Sequence, residues 1–280
     1  MQFVNTLAVS DGGPARHSFE LNLALNSNSD VDVQLIWMRG GLETSVLETH
    51  TGGFPKRAPF RMTSSLRSVL RVCREVWEAD VIMLHGYYVL FVPALAITGR
   101  LLRKRVLLMP HGSLTAHQRN IARGKKAIFE FMGGFLARRA IHSFVVGSAR
   151  EGIELNDFDK RVRVTVAGVG TAMPRRESRP TRWPEKIRLV TIGRVAPKKR
   201  LDLSIRALGV LRRRGLDAEL WVGGSGNEGL IESLVELSAS EGVAEKVHFL
   251  GPVAGAKKIG LLDSAEIFLL PSDDENFGIA

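Results

Sequence analysis

The chain has 280 residues, of which 45% are hydrophobic and 24% charged, which excludes a disordered segment and provides apolar material for two ordinary cores. Its net charge of +10 is concentrated in residues 1–150, which hold 19 Lys and Arg against 10 Asp and Glu, so a polyanion or an anionic lipid surface is the partner this charge favours. The single cysteine, Cys73, excludes an internal disulfide and fits a reducing compartment; the absence of zinc-finger spacing and of an aromatic-basic signature argues against nucleic acid.

The first residues lack a basic start followed by a long apolar run, so no secretory leader is expected. Phe3–Val9 reads as a strand. Ser10-Asp11-Gly12-Gly13-Pro14 follows it and precedes a helix from about Ala15 to Leu25. Paired glycines at a helix start allow backbone N–H groups to approach an anion, but a tight turn needs them equally. Val31–Trp37 is the next strand candidate. Val81–Gly99 has no charged side chain over nineteen residues, close to the length of a spanning helix. His85, Gly86 and Pro93 interrupt it, so the reading is a buried strand, Val81–Leu84, then a helix from Leu90 with proline near its first turn.

Arg105–Met109 is a strand, and Pro110-His111-Gly112 stands at its end, where a histidine either meets a ligand or packs; His85-Gly86 repeats the pattern one strand earlier and reads as a packed or acceptor-side residue. Arg119, Arg123 and Lys126 recur at helical spacing beside an apolar stripe of Ile121, Ile128, Met132 and Phe135, which suits either an anionic membrane surface or a solvated face over a core. Ser143–Val146 closes the first strand series. A Pro-, Arg- and Ser-rich stretch from Met173-Pro174 to Trp183-Pro184 follows.

A second series then begins, with strands at Arg188–Ile192, Glu219–Val222, Val247–Leu250 and Ile267–Leu270 and helices at Leu201–Arg214 and Gly229–Ser240. Strand-helix alternation predicts an α/β protein with parallel sheets covered by helices on both faces. The expected domains are 1–172, a linker at 173–186, and 187–280. Ligands of such sheets bind beyond the carboxyl ends of the strands, and each motif sits there. Gly193-Arg194-Val195-Ala196-Pro197-Lys198-Lys199 places two cations, Arg194 and Lys199, in a loop opening a helix; that suits a diphosphate, although basic loops are also ordinary surface. Val222-Gly223-Gly224-Ser225-Gly226 is glycine-rich and resembles a phosphate or nucleoside cradle. Leu270-Pro271-Ser272-Asp273-Asp274-Glu275-Asn276-Phe277-Gly278 offers carboxylates and consecutive amides to sugar hydroxyls and phosphate; a metal site is the lesser alternative.

In this order, the Gly-Gly loop, P-H-G, G-R-x-x-P-K-K, G-x-G-N-E, F-L-G and L-P-S-x-x-E-N-F-G resemble the group 1 glycosyltransferases, also called glycosyltransferase family 4, over nearly the whole chain. The resemblance implies the GT-B fold: two Rossmann-like domains facing an interdomain cleft, acceptor on the first and nucleotide sugar on the second. It implies that Arg194 and Lys199 bind the diphosphate and that Glu275, the first Glu of the family's E-x7-E motif, holds the donor sugar. Asn276, Phe277 and Gly278 form the amide-bearing turn beside it. His111 reaches the donor sugar, Gly12 and Gly13 lie near the phosphates, and Val253 falls where the backbone meets the base. Two departures stand out. Arg200 replaces the glycine that usually follows the motif lysine, and the second Glu of the motif would fall past Ala280. The chain is therefore expected to be a fragment with an incomplete second domain and to be a poor catalyst by itself.

The implied activity is retaining transfer of a sugar from a UDP- or GDP-linked donor to a hydroxyl acceptor, in cell-surface polysaccharide or glycolipid synthesis. No metal or other cofactor is expected. The implied partners are the donor, a saccharide or lipid-linked acceptor and an anionic membrane surface. The implied location is cytoplasmic, peripheral on the inner face of the plasma membrane. A nucleotide-sugar epimerase of similar fold and a non-catalytic sugar-binding or membrane-associated remnant are the alternatives.

Overall fold

A computed structural model describes residues 1–8, 13–40, 56–170, 186–273 and 275. These residues form two compact units, one made of the described residues up to 170 and one of those from 186 on.

In the first unit, seven strands form one sheet: β1 (Gln2–Thr6), β2 (Leu35–Arg39), β3 (Phe60–Arg61), β4 (Val81–His85), β5 (Arg105–Met109), β6 (Ser143–Val146) and β7 (Val164–Val166). Their order is β3-β2-β1-β4-β5-β6-β7, and every pairing is parallel. Alternate residues of a strand point to opposite faces. Accordingly Phe3 and Ile36 enter one core with Ile82, Leu84, Val106, Leu108 and Phe144, while Val4, Leu35 and Trp37 enter another with Phe19. Both faces are covered, which is why these strands read as unbroken apolar runs. The covering helices include α1 (Gly13–Ser27), α2 (Leu66–Glu78), α3 (Val92–Leu101), α4 (Ala116–Asn120), α5 (Arg123–Phe129), α6 (Phe135–Ala140) and α7 (Ala149–Phe158).

The second unit has four parallel strands, β8 (Ile187–Ile192), β9 (Ala218–Gly223), β10 (Val247–Phe249) and β11 (Ile267–Phe268), in the order β10-β9-β8-β11. Its helices are α8 (Leu201–Arg213), α9 (Glu228–Ser240) and α10 (Gly255–Asp263). Leu189, Leu220 and Val222 pack on one face, and Val190 and Ile192 on the other with Leu261 and Ala265.

Several sequence expectations shift. The run Val31–Trp37 does not begin as a strand. The Asn22 and Asn26 side-chain amides donate to the Val33 carbonyl at 3.1 and 3.0 Å, the Val33 N–H donates to Asn26 Oδ1 at 2.9 Å, and β2 starts only at Leu35. The short strands β3 and β7 at the two sheet edges lie outside the expected series; β7 is largely exposed and has no apolar run to announce it. The basic-apolar stripe from Arg119 to Phe135 is not one helix. Ala122 (φ 53°) separates α4 from α5, and a π-helical turn, Glu130–Gly134, with Gly133 at φ 122°, separates α5 from α6. Arg138 anchors that turn. It is 9% exposed and donates to Glu130 at 3.0 Å and to Asp159 at 2.9 Å, while the Tyr87 hydroxyl donates to the Gly134 carbonyl at 2.8 Å. Among the described residues no helix is long and apolar enough to cross a membrane, and Val81–Gly99 resolves into β4 and α3, with Pro93 in the first turn of the helix.

At the start of β9, Glu219 is 4% exposed and carries ion pairs to Lys186 (2.8 Å) and Arg188 (3.2 Å), with His248 at 3.4 Å. Burial pushes its carboxyl up, but hydrogen bonds from Lys186 and Arg188 outweigh that and hold it down to about 2. A carboxyl depressed on folding adds stability above its unfolded value and loses it as pH falls toward the folded one. Solvent screening of the partly exposed partners trims the contribution to about 1–2 kcal/mol. The Glu219→Gln chain is therefore expected to be less stable at pH 7. It should also lose less of its denaturation midpoint than the parent between pH 5 and pH 2. Parallel slopes would contradict the assignment.

Candidate functional site

In an open parallel sheet, the crevice lies where strand order reverses, outside the carboxyl ends of the two strands. The first sheet reverses between β1 and β4, and the second between β8 and β11. Of the sequence-predicted residues that are described, Gly13 and His111 lie by the first of these places and Arg194, Lys199 and Glu275 follow the strands of the second.

In the first unit, His85 ends β4 and His111 follows β5. Their rings stack 5.2 Å apart, with 2.9 Å between His85 Nδ1 and His111 Nε2. His17, from α1, meets the His111 ring edge-on at 5.5 Å. Sequence reading did not single out His17; its one signal is a histidine facing the core from the helix that follows β1. Burial lowers the basicity of all three. His85 is driven well below the ordinary imidazole range, further disfavoured by His111 and His17. His111 is brought to about 3, with His17 adding to burial. His17 is lowered by burial against a smaller opposing pull from Glu20. Three neutral imidazoles therefore share this crevice at pH 7.

The backbone at His111 is held in an unfavourable conformation. His111 and Gly112 have φ of 52° and 79°, and the Ser113 N–H donates to the Pro110 carbonyl at 3.0 Å, the pattern of a turn with two left-handed central residues. A non-glycine residue there costs about 1 kcal/mol or more and persists only where its surroundings impose it. Glu151 is one such constraint. Its two carboxylate oxygens accept from the Gly112 N–H at 2.6 Å and the Gly147 N–H at 3.0 Å, strapping the turn to the end of β6. Of the predicted glycine pair, Gly13 opens α1, and Gly12 lies outside the described residues.

In the second unit, the loops after β8 and β9 are tied together. The Gly193 N–H donates to the Gly223 carbonyl at 2.9 Å, the Val195 N–H donates to the Ser225 carbonyl at 2.8 Å, and Val195 bridges Gly226. The backbones run so close that a Cβ on Gly224 would stand 1.8 Å from the Gly193 oxygen, so only glycine fits. Lys199 ends the single 3-10 turn Pro197–Lys199, and its ammonium is ion-paired with Glu275. Arg194 is exposed and makes no ion pair among the described residues. Lys199 and Glu275 are thus brought together, whereas Arg194 stands apart from that pair.

Arg200, the departure noted in the sequence, has φ 49° and starts α8 in the left-handed conformation that a glycine would adopt freely. Its guanidinium forks Asp202 at 3.0 Å through two nitrogens and reaches Asp273 at 2.9 Å, while the Asp273 N–H donates to the Lys198 carbonyl at 2.9 Å. These contacts pin the segment that carries Glu275. The Ser272 hydroxyl in that segment is buried without a hydrogen-bond partner. Val253 packs its side chain over Gly223 against the cluster around Leu261. Asn276, Phe277 and Gly278 lie outside the described residues. Among the described residues no group of three or more His, Cys, Asp or Glu is placed to hold a metal ion.

Arg194 and Lys199 thus both follow β8, beside the glycine-lined loops of the second switch point. Residues 175–280 match the family "Glycosyl transferases group 1". A D-inositol 3-phosphate glycosyltransferase of Salinispora arenicola is 41% identical over 95 residues, covering 31% of this chain and 21% of that protein. A GDP-mannose-dependent alpha-(1-6)-phosphatidylinositol dimannoside mannosyltransferase of Mycobacterium tuberculosis is 31% identical over 173 residues, covering 54% of this chain and 44% of the relative. The aligned part is therefore less than half the length of either curated relative. Among solved structures, HepE of Anabaena in complex with UDP-glucose superposes with a TM-score of 0.71 at 14% identity, over 98% of this chain and 74% of that one, a likeness of fold.

Proposed function

We propose, from a chain whose residues 175–280 match the group 1 glycosyltransferases and whose fold is that of GT-B proteins, that it moves a sugar from a nucleotide-diphosphate donor to a hydroxyl acceptor with retention at the anomeric carbon. The observation that carries this reading is the Lys199–Glu275 pair beside the tied β8 and β9 loops at the second switch point, inside the matched span. Negative charge grows on the departing diphosphate, and Arg194, Lys199 and the amides of the Gly193–Gly226 loops meet it without a metal. As the diphosphate takes over Lys199, Glu275 is released to accept from donor-sugar hydroxyls. His111, in the first unit, offers a hydrogen-bond contact to a sugar hydroxyl. UDP- and GDP-linked sugars are the donors to try first, since relatives with those donor names share the family or the fold.

The test incubates the chain with labelled UDP- and GDP-sugars and a panel of saccharide and lipid-linked acceptors, with and without a chelator. The reading predicts labelled, configuration-retained product that survives chelation. Inverted product, donor epimerised without transfer, or activity lost to the chelator and restored by magnesium would each contradict it.

The acceptor is proposed to be presented at an anionic membrane. Ile121, Ile128, Phe131, Met132, Phe135 and Leu136 are exposed large apolar residues on α4–α6 and the joints between them, with Phe131 93% exposed. Arg123 and Lys125 are exposed beside them, whereas Arg119 lies over the Phe158 ring and Lys126 over that of Tyr88. An apolar patch edged by cations matches a lipid surface carrying negative headgroups. Flotation with anionic vesicles should recover the protein, neutral vesicles should recover less, and Phe131→Ser should reduce recovery several-fold. Equal recovery on both vesicle types, or an unaffected variant, would contradict docking here.

A further inference from the structure

We infer that His85 is a positioning residue that fixes the tautomer of His111: its Nδ1–H donates to His111 Nε2, so that His111 carries its own proton on Nδ1 and offers that nitrogen as a hydrogen-bond donor. The inference rests on where protons can sit. Two neutral rings joined at 2.9 Å share a single proton in that contact. If His111 donated, His85 would have to be protonated on Nε2. That atom is buried and has no hydrogen-bond partner among the described residues. A buried N–H without an acceptor is the rarer and costlier orphan, whereas a bare lone pair in the same place is better tolerated. The opposite assignment leaves only the lone pair at His85 Nε2 and is therefore favoured.

Neighbouring geometry keeps the contact in place. His85 is 2% exposed, and the Gly86 N–H donates to the Met109 carbonyl at 2.8 Å, which binds the end of β4 to the end of β5. The turn at His111 is fixed by Glu151 through the Gly112 N–H. His111 Nδ1 is not among the buried, unpartnered nitrogens of the trio, which are His85 Nε2 and both of His17. It is the nitrogen left for a ligand. As an N–H it takes an oxygen acceptor, such as a sugar hydroxyl or ring oxygen, and does not abstract a proton. That ligand class rests on the transfer reading above; the tautomer does not.

The test is a long-range 15N–1H imidazole spectrum of the histidine-labelled chain near pH 7. The parent should show His111 unprotonated at Nε2 and protonated at Nδ1. In His85→Leu the donor is gone, and His111 should revert to the Nε2–H form that a free histidine side chain prefers. In His85→Asn the side-chain amide stands where Nδ1 stood and should restore the Nδ1–H form. A parent His111 protonated at Nε2 would overturn the inference. So would a Nδ1–H form that persists in His85→Leu. Both readings come from the folded chain without substrate, so absent transfer with the expected tautomers would refute the activity alone.

Discussion

Lys199→Ala is expected to weaken binding of UDP or GDP by about ten- to a hundredfold. A hydrogen bond to a charged group is worth about 1.5–3 kcal/mol, and each 1.4 kcal/mol is tenfold in affinity. The pairing with Glu275 places the effect toward the upper end. Without the ammonium, an uncompensated carboxylate stands where the anion must bind, so repulsion adds to the lost attraction. The same logic predicts that Lys199→Ala combined with Glu275→Gln recovers part of the loss, a coupling a double-mutant cycle reads directly. Arg194→Ala should act in the same direction but less strongly, because Arg194 is exposed and screened. Calorimetric titration of the nucleoside diphosphates checks all three. Unchanged affinity in Lys199→Ala would remove it from the site.

Gly224→Ala is expected to be the most damaging single-methyl change in the second unit. The added carbon would lie 1.8 Å from the Gly193 oxygen and 2.8 Å from its carbonyl carbon, both backbone atoms that cannot swing aside. Relief requires the β8 and β9 loops to part, which gives up the Gly193–Gly223 hydrogen bond and the Val195–Gly226 bridge. Overpacking and backbone displacement of this kind cost about 2–4 kcal/mol. Denaturant unfolding should show the second unit destabilised by that amount, with nucleoside diphosphate binding lost beyond detection. A variant as stable as the parent would mean that the two loops do not approach this closely.

What could be read from the sequence follows from how each residue is used. Strands β4, β5, β6 and β8 sit within sheets covered on both faces, so their apolar runs announce them nearly to the residue. Strands β3 and β7 lie at the edges and carry little apolar signal. The first half of the Val31–Trp37 run is not a strand, because asparagine side chains from α1 take its backbone groups, a long-range substitution for strand pairing that no local pattern reveals. Left-handed turns at Ala122 and Gly133 likewise break a stripe that periodicity alone joins into one helix.

At the candidate site, the motif residues His111, Arg194, Lys199 and Glu275 were legible because glycine and proline punctuate the strand ends that carry them. Their partners were not. The His85–His111 contact joins residues 26 apart, and the Lys199–Glu275 pair joins residues 76 apart. Arg200 shows the limit most clearly. From sequence it is a lost glycine, whereas in the fold its guanidinium, held between Asp202 and Asp273, accompanies the left-handed backbone and ties down the segment bearing Glu275.

Under the proposed function, the second switch point is a nucleoside-diphosphate site. Amide hydrogen exchange with and without saturating UDP or GDP tests it most directly, since protection is read along the whole chain and needs no acceptor or turnover. Slowed exchange is expected in the Gly193–Lys199 and Gly223–Gly226 loops, abolished by Lys199→Ala. No protection there, or protection confined to other segments, would contradict it.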